Sequence, residues 1–178
     1  MGESFIHKYI DYAPLYTLQP NSDIRTRQLH IWKDIILHHA LTNPPFYLDP
    51  SSAILSNAKI GRKLTFFDDL KSFLVSQNVV LTLASNKLLV LPCCLPELAA
   101  EVLRWAQATA HVNVVETFAF LQQRADGFLF RGLPDEAMTE IFRTLERQGL
   151  AKLLPPSGFK ILSFLFCVCT YFYIFSHT

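Results

Sequence analysis

The sequence has no surplus of charge of either sign: 16 Lys and Arg stand against 15 Asp and Glu, and charged residues make up only 17% of the chain. That balance excludes the basic footprint of a nucleic-acid binder or a polybasic membrane binder. Met1–Tyr9 contains Glu3 and His7 but no apolar core of signal-peptide length, and no Asn-x-Ser/Thr sequon occurs. The cysteines, Cys93, Cys94, Cys167 and Cys169, are too few and too irregular for a disulfide framework. A reducing, cytosolic compartment is therefore expected. Adjacent cysteines point apart and the Cys-x2-Cys spacing is missing, so no metal site is expected and the thiols read as small buried apolar groups. Catalytic signatures are missing too: there is no Gly-x-Ser-x-Gly elbow, no His-Glu-x-x-His, and Gly61-Arg62-Lys63 lacks the rest of a phosphate loop. His38 and His39 occupy successive helical positions, which places one on the core and one on the surface rather than both on one ion. Neither an enzyme nor a cofactor is expected.

What the sequence does have is apolar bulk, 51% of residues, enough for one medium or two small domains. The stretch around which the rest is arranged runs from Tyr12 to Leu41. It reads as an extended arm, Tyr12-Ala13-Pro14-Leu15-Tyr16-Thr17-Leu18-Gln19-Pro20, leading into an amphipathic helix. Pro14 fixes its own φ and steers Ala13 away from helical values, so the arm loses little entropy on docking. Asn21, Ser22 and Asp23 supply the cap and first turn, and Leu29, Trp32, Ile35, Ile36 and Ala40 the core face.

Asn43-Pro44-Pro45 stops that helix, and a polar, proline-marked loop is expected as far as Ser52, followed by a short helical turn over Ala53–Ala58. Pro44-Pro45-Phe46-Tyr47 matches a WW-domain ligand, but aromatics anchoring a helix-terminating loop are the preferred reading. A second helix is expected with Thr65 as N-cap and Phe66, Phe67, Leu70, Phe73 and Leu74 on one face, then strands over Val79–Leu83 and Lys87–Leu91 around a Ser85-Asn86 turn. Pro92-Cys93-Cys94-Leu95-Pro96 marks a domain boundary. The order then repeats: a helix from Pro96, a short strand and helix within Val112–Phe120, a helix opened by Leu133-Pro134 and closed at Gly149, and strands over Leu150–Leu154 and Phe159–Ile161. This is the winged-helix order twice. The fold class is α+β, mainly helical, with an arm over 1–20, winged-helix domains over 21–92 and 93–161, and an atypical hydrophobic tail over 162–178.

The tail carries no charged residue from Ile161 to Phe175, shorter than the roughly 17 to 25 residues that cross a bilayer as a helix. A last strand continuing into a poorly packed end, a marginal anchor and an extension foreign to the domain are the alternatives; the third is preferred. In DNA-binding winged helices the third helix enters the major groove. Here one such helix carries Asp68 and Asp69 against Lys71, the other Asp135, Glu136, Glu140 and Glu146 against Arg143 and Arg147. Acidic faces repel phosphate, so protein rather than nucleic acid is the expected partner, with a DNA-binding or transcription-associated factor as the alternative.

The arm Tyr12–Asn21, Arg27-Gln28-Leu29 with Trp32, Ser56-Asn57-Ala58-Lys59-Ile60-Gly61-Arg62-Lys63-Leu64 and Gly132-Leu133-Pro134-Asp135-Glu136-Ala137 together resemble the small subunit of the ESCRT-II endosomal sorting complex, the vacuolar protein sorting-associated protein 25 family. The resemblance implies a cytoplasmic adaptor recruited peripherally to endosomal membranes, where its complex sorts ubiquitinated cargo into multivesicular bodies. It implies that the arm, through Tyr12, Pro14, Leu15, Tyr16, Thr17 and Leu18, docks on the two larger winged-helix subunits of ESCRT-II. It also implies that the second domain, through Asp135, Glu136, Thr139, Glu140, Arg143 and Arg147, recruits the initiating ESCRT-III subunit. The family usually has two adjacent prolines followed by aromatics, where this chain has Ala13-Pro14-Leu15-Tyr16, and it ends near the position of Ile161.

Overall fold

The computed structural model describes residues 9–83 and 87–162. The tail expectation beyond Leu162 and the Ser85-Asn86 turn lie outside the described residues.

The first long helix, α1 (Ser22–Thr42), starts where Asn21 leaves helical backbone and its Oδ1 accepts the N–H groups of Asp23 and Ile24. It buries Trp32, Ile35, Ile36 and Ala40. Gln28, one turn before Trp32, lies fully on that stripe, whereas Leu29, expected there, is half-buried. His38 and His39 are both half-buried rather than split between core and surface, because the His39 ring turns edge-on to Phe46 at 4.6 Å.

The expected polar loop after α1 instead contributes a strand, β1 (Phe46–Leu48). A 3₁₀ turn (Ala53–Leu55) follows, then the two-residue strands β2 (Ser56–Asn57) and β3 (Arg62–Lys63), in place of a helical turn reaching Ala58. The next helix, α2 (Phe67–Ser76), begins two residues after Thr65, whose N–H and hydroxyl are both spent on the Tyr16 carbonyl and cannot cap it. β4 (Val80–Thr82) and β5 (Leu88–Val90) complete an antiparallel sheet in the order β1-β5-β4.

The second unit has α3 (Leu95–Ala108), β6 (Val115–Thr117), α4 (Phe118–Gln123), α5 (Asp135–Arg147), β7 (Ala151–Leu154) and β8 (Gly158–Ile161), with sheet order β6-β8-β7. Its core stacks Phe142 on Phe159 at 4.2 Å and on Phe118 at 5.5 Å, with Trp105 and Phe130 also buried. The turn into each hairpin needs a left-handed residue just past its helix: Asn78 (φ 54) after α2 and Gly149 (φ 72) after α5. Both units are winged helices.

β5 does not alternate between core and solvent, because both of its faces are covered. Leu88 and Val90 face the first domain's core, while Leu89 and the following Leu91 belong to the second domain's core, all at 1% exposure or less. Leu81 and Leu83 pack there as well. The first domain's hairpin is thus a wall shared by two cores.

Candidate functional site

The arm is not extended throughout. Ala13–Tyr16 forms a 3₁₀ turn, and Leu15 (3% exposed) and Tyr16 (1%) are buried in the first domain's own core. The reason lies in the carbonyls. Trp32 Nε1 donates to Leu15 O at 2.9 Å, Gln28 Nε2 to Leu15 O and Thr17 O at 2.9 Å each and to Pro14 O at 3.2 Å, and Thr65 N and Oγ1 to Tyr16 O. Gln19 Nε2 adds a second donor to Pro14 O and Thr17 O. The four successive carbonyls from Pro14 to Thr17, which an extended chain would have offered a partner, are thus already engaged. Upstream, Tyr16 Oη and Asn57 Nδ2 donate to Ile10 O, Asn57 also to Asp11, and Lys59 closes an ion pair with Asp11. Burial pushes the Tyr16 phenol above its ordinary pKa against the opposing hydrogen bond with Asn57, so it stays neutral throughout the physiological range.

Of the arm residues expected to dock, Leu15 and Tyr16 present no surface; Tyr12 (56% exposed), Pro14 and Thr17 do, and Leu18 is half-buried. Tyr12 and Pro14 border a shallow apolar depression completed by Ile24 and Ile31, which sequence reasoning missed. Gln28 was legible: a polar residue four before Trp32 falls on the core stripe and must be satisfied there.

On the second domain, Glu136, Thr139, Glu140 and Arg143 come together along a groove opposite Leu81, Thr82 and Leu83. Arg143 pairs with Glu140 one turn away. Asp135 stands in the first turn, where its carbonyl accepts the Thr139 hydroxyl, and Arg147 stands in the last; neither lines the groove. The first domain's hairpin therefore lies beside the helix that would have to stand clear to enter a DNA groove.

Cys93 and Cys94 are half-buried at the junction of the domains. Burial, reinforced by Glu97, pushes the Cys93 thiol up to about 12, and burial also raises Cys94. A raised pKa keeps the thiol protonated at pH 8, and only the thiolate attacks. Iodoacetamide is expected to label Cys93 in the folded chain at least tenfold more slowly than in urea, read by mass spectrometry of the peptide; equal rates would contradict this placement. Among the described residues no group of three or more His, Cys, Asp or Glu is arranged to hold a metal.

A family model for ESCRT-II complex subunits matches residues 9–128, from the arm through α4. The chain belongs to the ESCRT-II complex subunit family. It is similar to the vacuolar protein-sorting-associated protein 25 of Danio rerio, at 26% identity over 86% of this chain and 94% of that one. A shorter match reaches the Xenopus laevis protein of the same name, at 33% identity over 36% of this chain and 39% of that one. The fold is that of a solved structure of subunit VPS25 of the endosomal trafficking complex ESCRT-II, with TM-score 0.74, 20% identity, and coverage of 90% of this chain and 99% of that one. It is also that of a chain in the crystal structure of the endosomal complex ESCRT-II (VPS22/VPS25/VPS36), with TM-score 0.72, 21% identity, and coverage of 89% and 100%. The family resemblance carried by the arm, the Gln28–Trp32 segment and the Leu133-Pro134 helix start thus extends over both winged-helix domains.

Proposed function

We propose that this ESCRT-II family chain acts as the complex's small, non-enzymatic adaptor. Its first domain attaches to the larger subunits, relatives of VPS22 and VPS36, and its second domain recruits the initiating ESCRT-III subunit during sorting of ubiquitinated cargo into multivesicular bodies. The observation that carries the reading is that the family match begins at the arm and continues unbroken into the second domain. The attachment surface is the exposed side of the arm, with Tyr12, Pro14, Thr17 and Leu18, rather than Leu15 and Tyr16, which act from inside by holding the turn in shape. No described helix is long and apolar enough to cross a membrane. On this reading the chain meets the endosomal membrane through its complex.

The test is co-expression of the full chain with the two larger subunits and measurement of the complex's mass by light scattering, beside a Tyr12→Ala version. The expected mass accommodates two copies of this chain. Tyr12→Ala is expected to leave the melting temperature unchanged, since the ring is exposed, and to weaken assembly about tenfold, as truncation of an interface aromatic does. A chain that elutes alone would remove the adaptor reading.

A further inference from the structure

The second domain's sheet has two edges, and they are not alike. On the β7 side Leu162 N donates to Leu150 O, and from there the alternation of an antiparallel ladder turns the N–H groups of Ala151 and Leu153 outward. Leu153 N–H is taken by the Glu146 carboxylate at 3.2 Å, and exposed Lys152 keeps a charge on that edge. On the β6 side Phe118 N donates to Ser157 O, and the same alternation turns the N–H and C=O of Val115 outward. Among the described residues nothing is bonded to them. The side chains presented there are Val114 (42% exposed) and Val115 (60%), with neither lysine nor proline to guard the edge.

We propose that this chain's own residues 163–175 lie along β6 as a fourth strand and cover the two valines. The described chain leaves β8 at that place: Asn113 N donates to Ile161 O at 2.7 Å, so Leu162 stands beside Asn113 and Val114. Residues 163–175 carry no charge, and their apolar side chains gain by leaving water. Because the segment starts next to the edge, its effective concentration there exceeds that of a separate chain.

Reaching the free side of β6 means crossing two strand spacings, about 10 Å, or about three extended residues. Residues 163–165 make that crossing over Val114. From Phe166 onward the segment runs parallel to β6, and residues two apart share a face. Phe166 and Val168 take the core side, which leaves Cys167 and Cys169 on the outer face with Val115.

The segment's two thiols make the placement testable in the full chain. Val115 and Lys152 both pair with Lys160, one strand spacing to either side, so the two are equally placed for a segment that is merely tethered. Val115→Cys and Lys152→Cys are each treated with oxidised glutathione, and the linked peptides are identified by mass spectrometry. Both positions are exposed, so circular dichroism should not change. Val115→Cys is expected to link to Cys167 or Cys169 of its own chain about tenfold faster than Lys152→Cys does. Equal rates would mean a segment that is tethered but not seated, and links only between copies would mean that a second chain occupies the edge. Either result overturns the proposal. Hydrogen exchange of the unsubstituted chain gives a second readout: the Val115 amide should exchange about a hundredfold more slowly than in an open peptide, and exchange at the open rate would overturn the proposal as well.

Discussion

A fragment that begins at Cys93 and runs through Leu162 is expected to be unfolded at room temperature, although it holds every helix and strand of the second winged helix. Leu89 and Leu91 are fully buried in that domain's core and come from the other side of the boundary. Burying a leucine contributes about 1.5–3 kcal/mol, so losing the two removes about 3–6 kcal/mol. The core of a domain of some 70 residues supplies only about 3–5 kcal/mol net. The loss of Leu81 and Leu83 adds to the deficit. Far-UV circular dichroism and urea titration of 93–162 beside 9–162 measure the effect. A cooperative transition in the fragment, with a midpoint equal to that of the longer chain, would show that the shared wall contributes nothing. In the intact chain, Leu91→Ala tests the same contact and is expected to cost about 2–5 kcal/mol, because a cavity is left between two cores.

Trp32→Ala is expected to cost the first domain about 3–5 kcal/mol and to release the arm. The ring is fully buried, stands edge-on to Tyr16 at 5.4 Å, and its N–H holds Leu15 O. Trp32→Phe separates the two contributions: it keeps most of the packing, loses the donor, and is expected to cost about 1–2 kcal/mol, in the range of one net hydrogen bond. Gln28→Leu should cost about 1–3 kcal/mol. Its amide has two protons shared among three carbonyls, and Trp32 and Gln19 still donate to each of those carbonyls after the change. Limited proteolysis gives an independent readout. Cleavage between Tyr12 and Thr17 should accelerate strongly in Trp32→Ala and little in Trp32→Phe. Equal cleavage in all variants would mean that the turn does not depend on this clamp.

The elements that sequence reasoning located well are those whose signals are local. Asn21 at the start of α1, the Leu133-Pro134 start and Gly149 end of α5, and both hairpins rest on caps, turns and periodicity within a few residues. What it misjudged was decided over distance. Thr65 looks like a helix cap until the Tyr16 carbonyl, 49 residues away, takes its hydroxyl. Phe46–Leu48 looks like loop because Pro44-Pro45 precede it, but β5 offers it a partner across the sheet. The arm looks extended because proline restricts it, and nothing in its own residues shows that Gln28, Trp32 and Thr65 collect its carbonyls. The α5 surface was legible as acidic, but its groove was not, since half of it belongs to a hairpin assigned to the other domain.

The two-faced strand β5 also matters before the protein is finished. When the first domain has emerged from the ribosome, Leu88 and Val90 can turn inward at once, but Leu89 and Leu91 have nothing to cover them until the chain has grown about 70 residues further, to β8. At about 5–20 residues per second, that leaves an apolar wing exposed for roughly 4–14 seconds on every nascent chain. Chaperone demand during synthesis should therefore concentrate on this hairpin, and ribosomes stalled after β5 has emerged but before β8 has should carry the most aggregation-prone form of the protein.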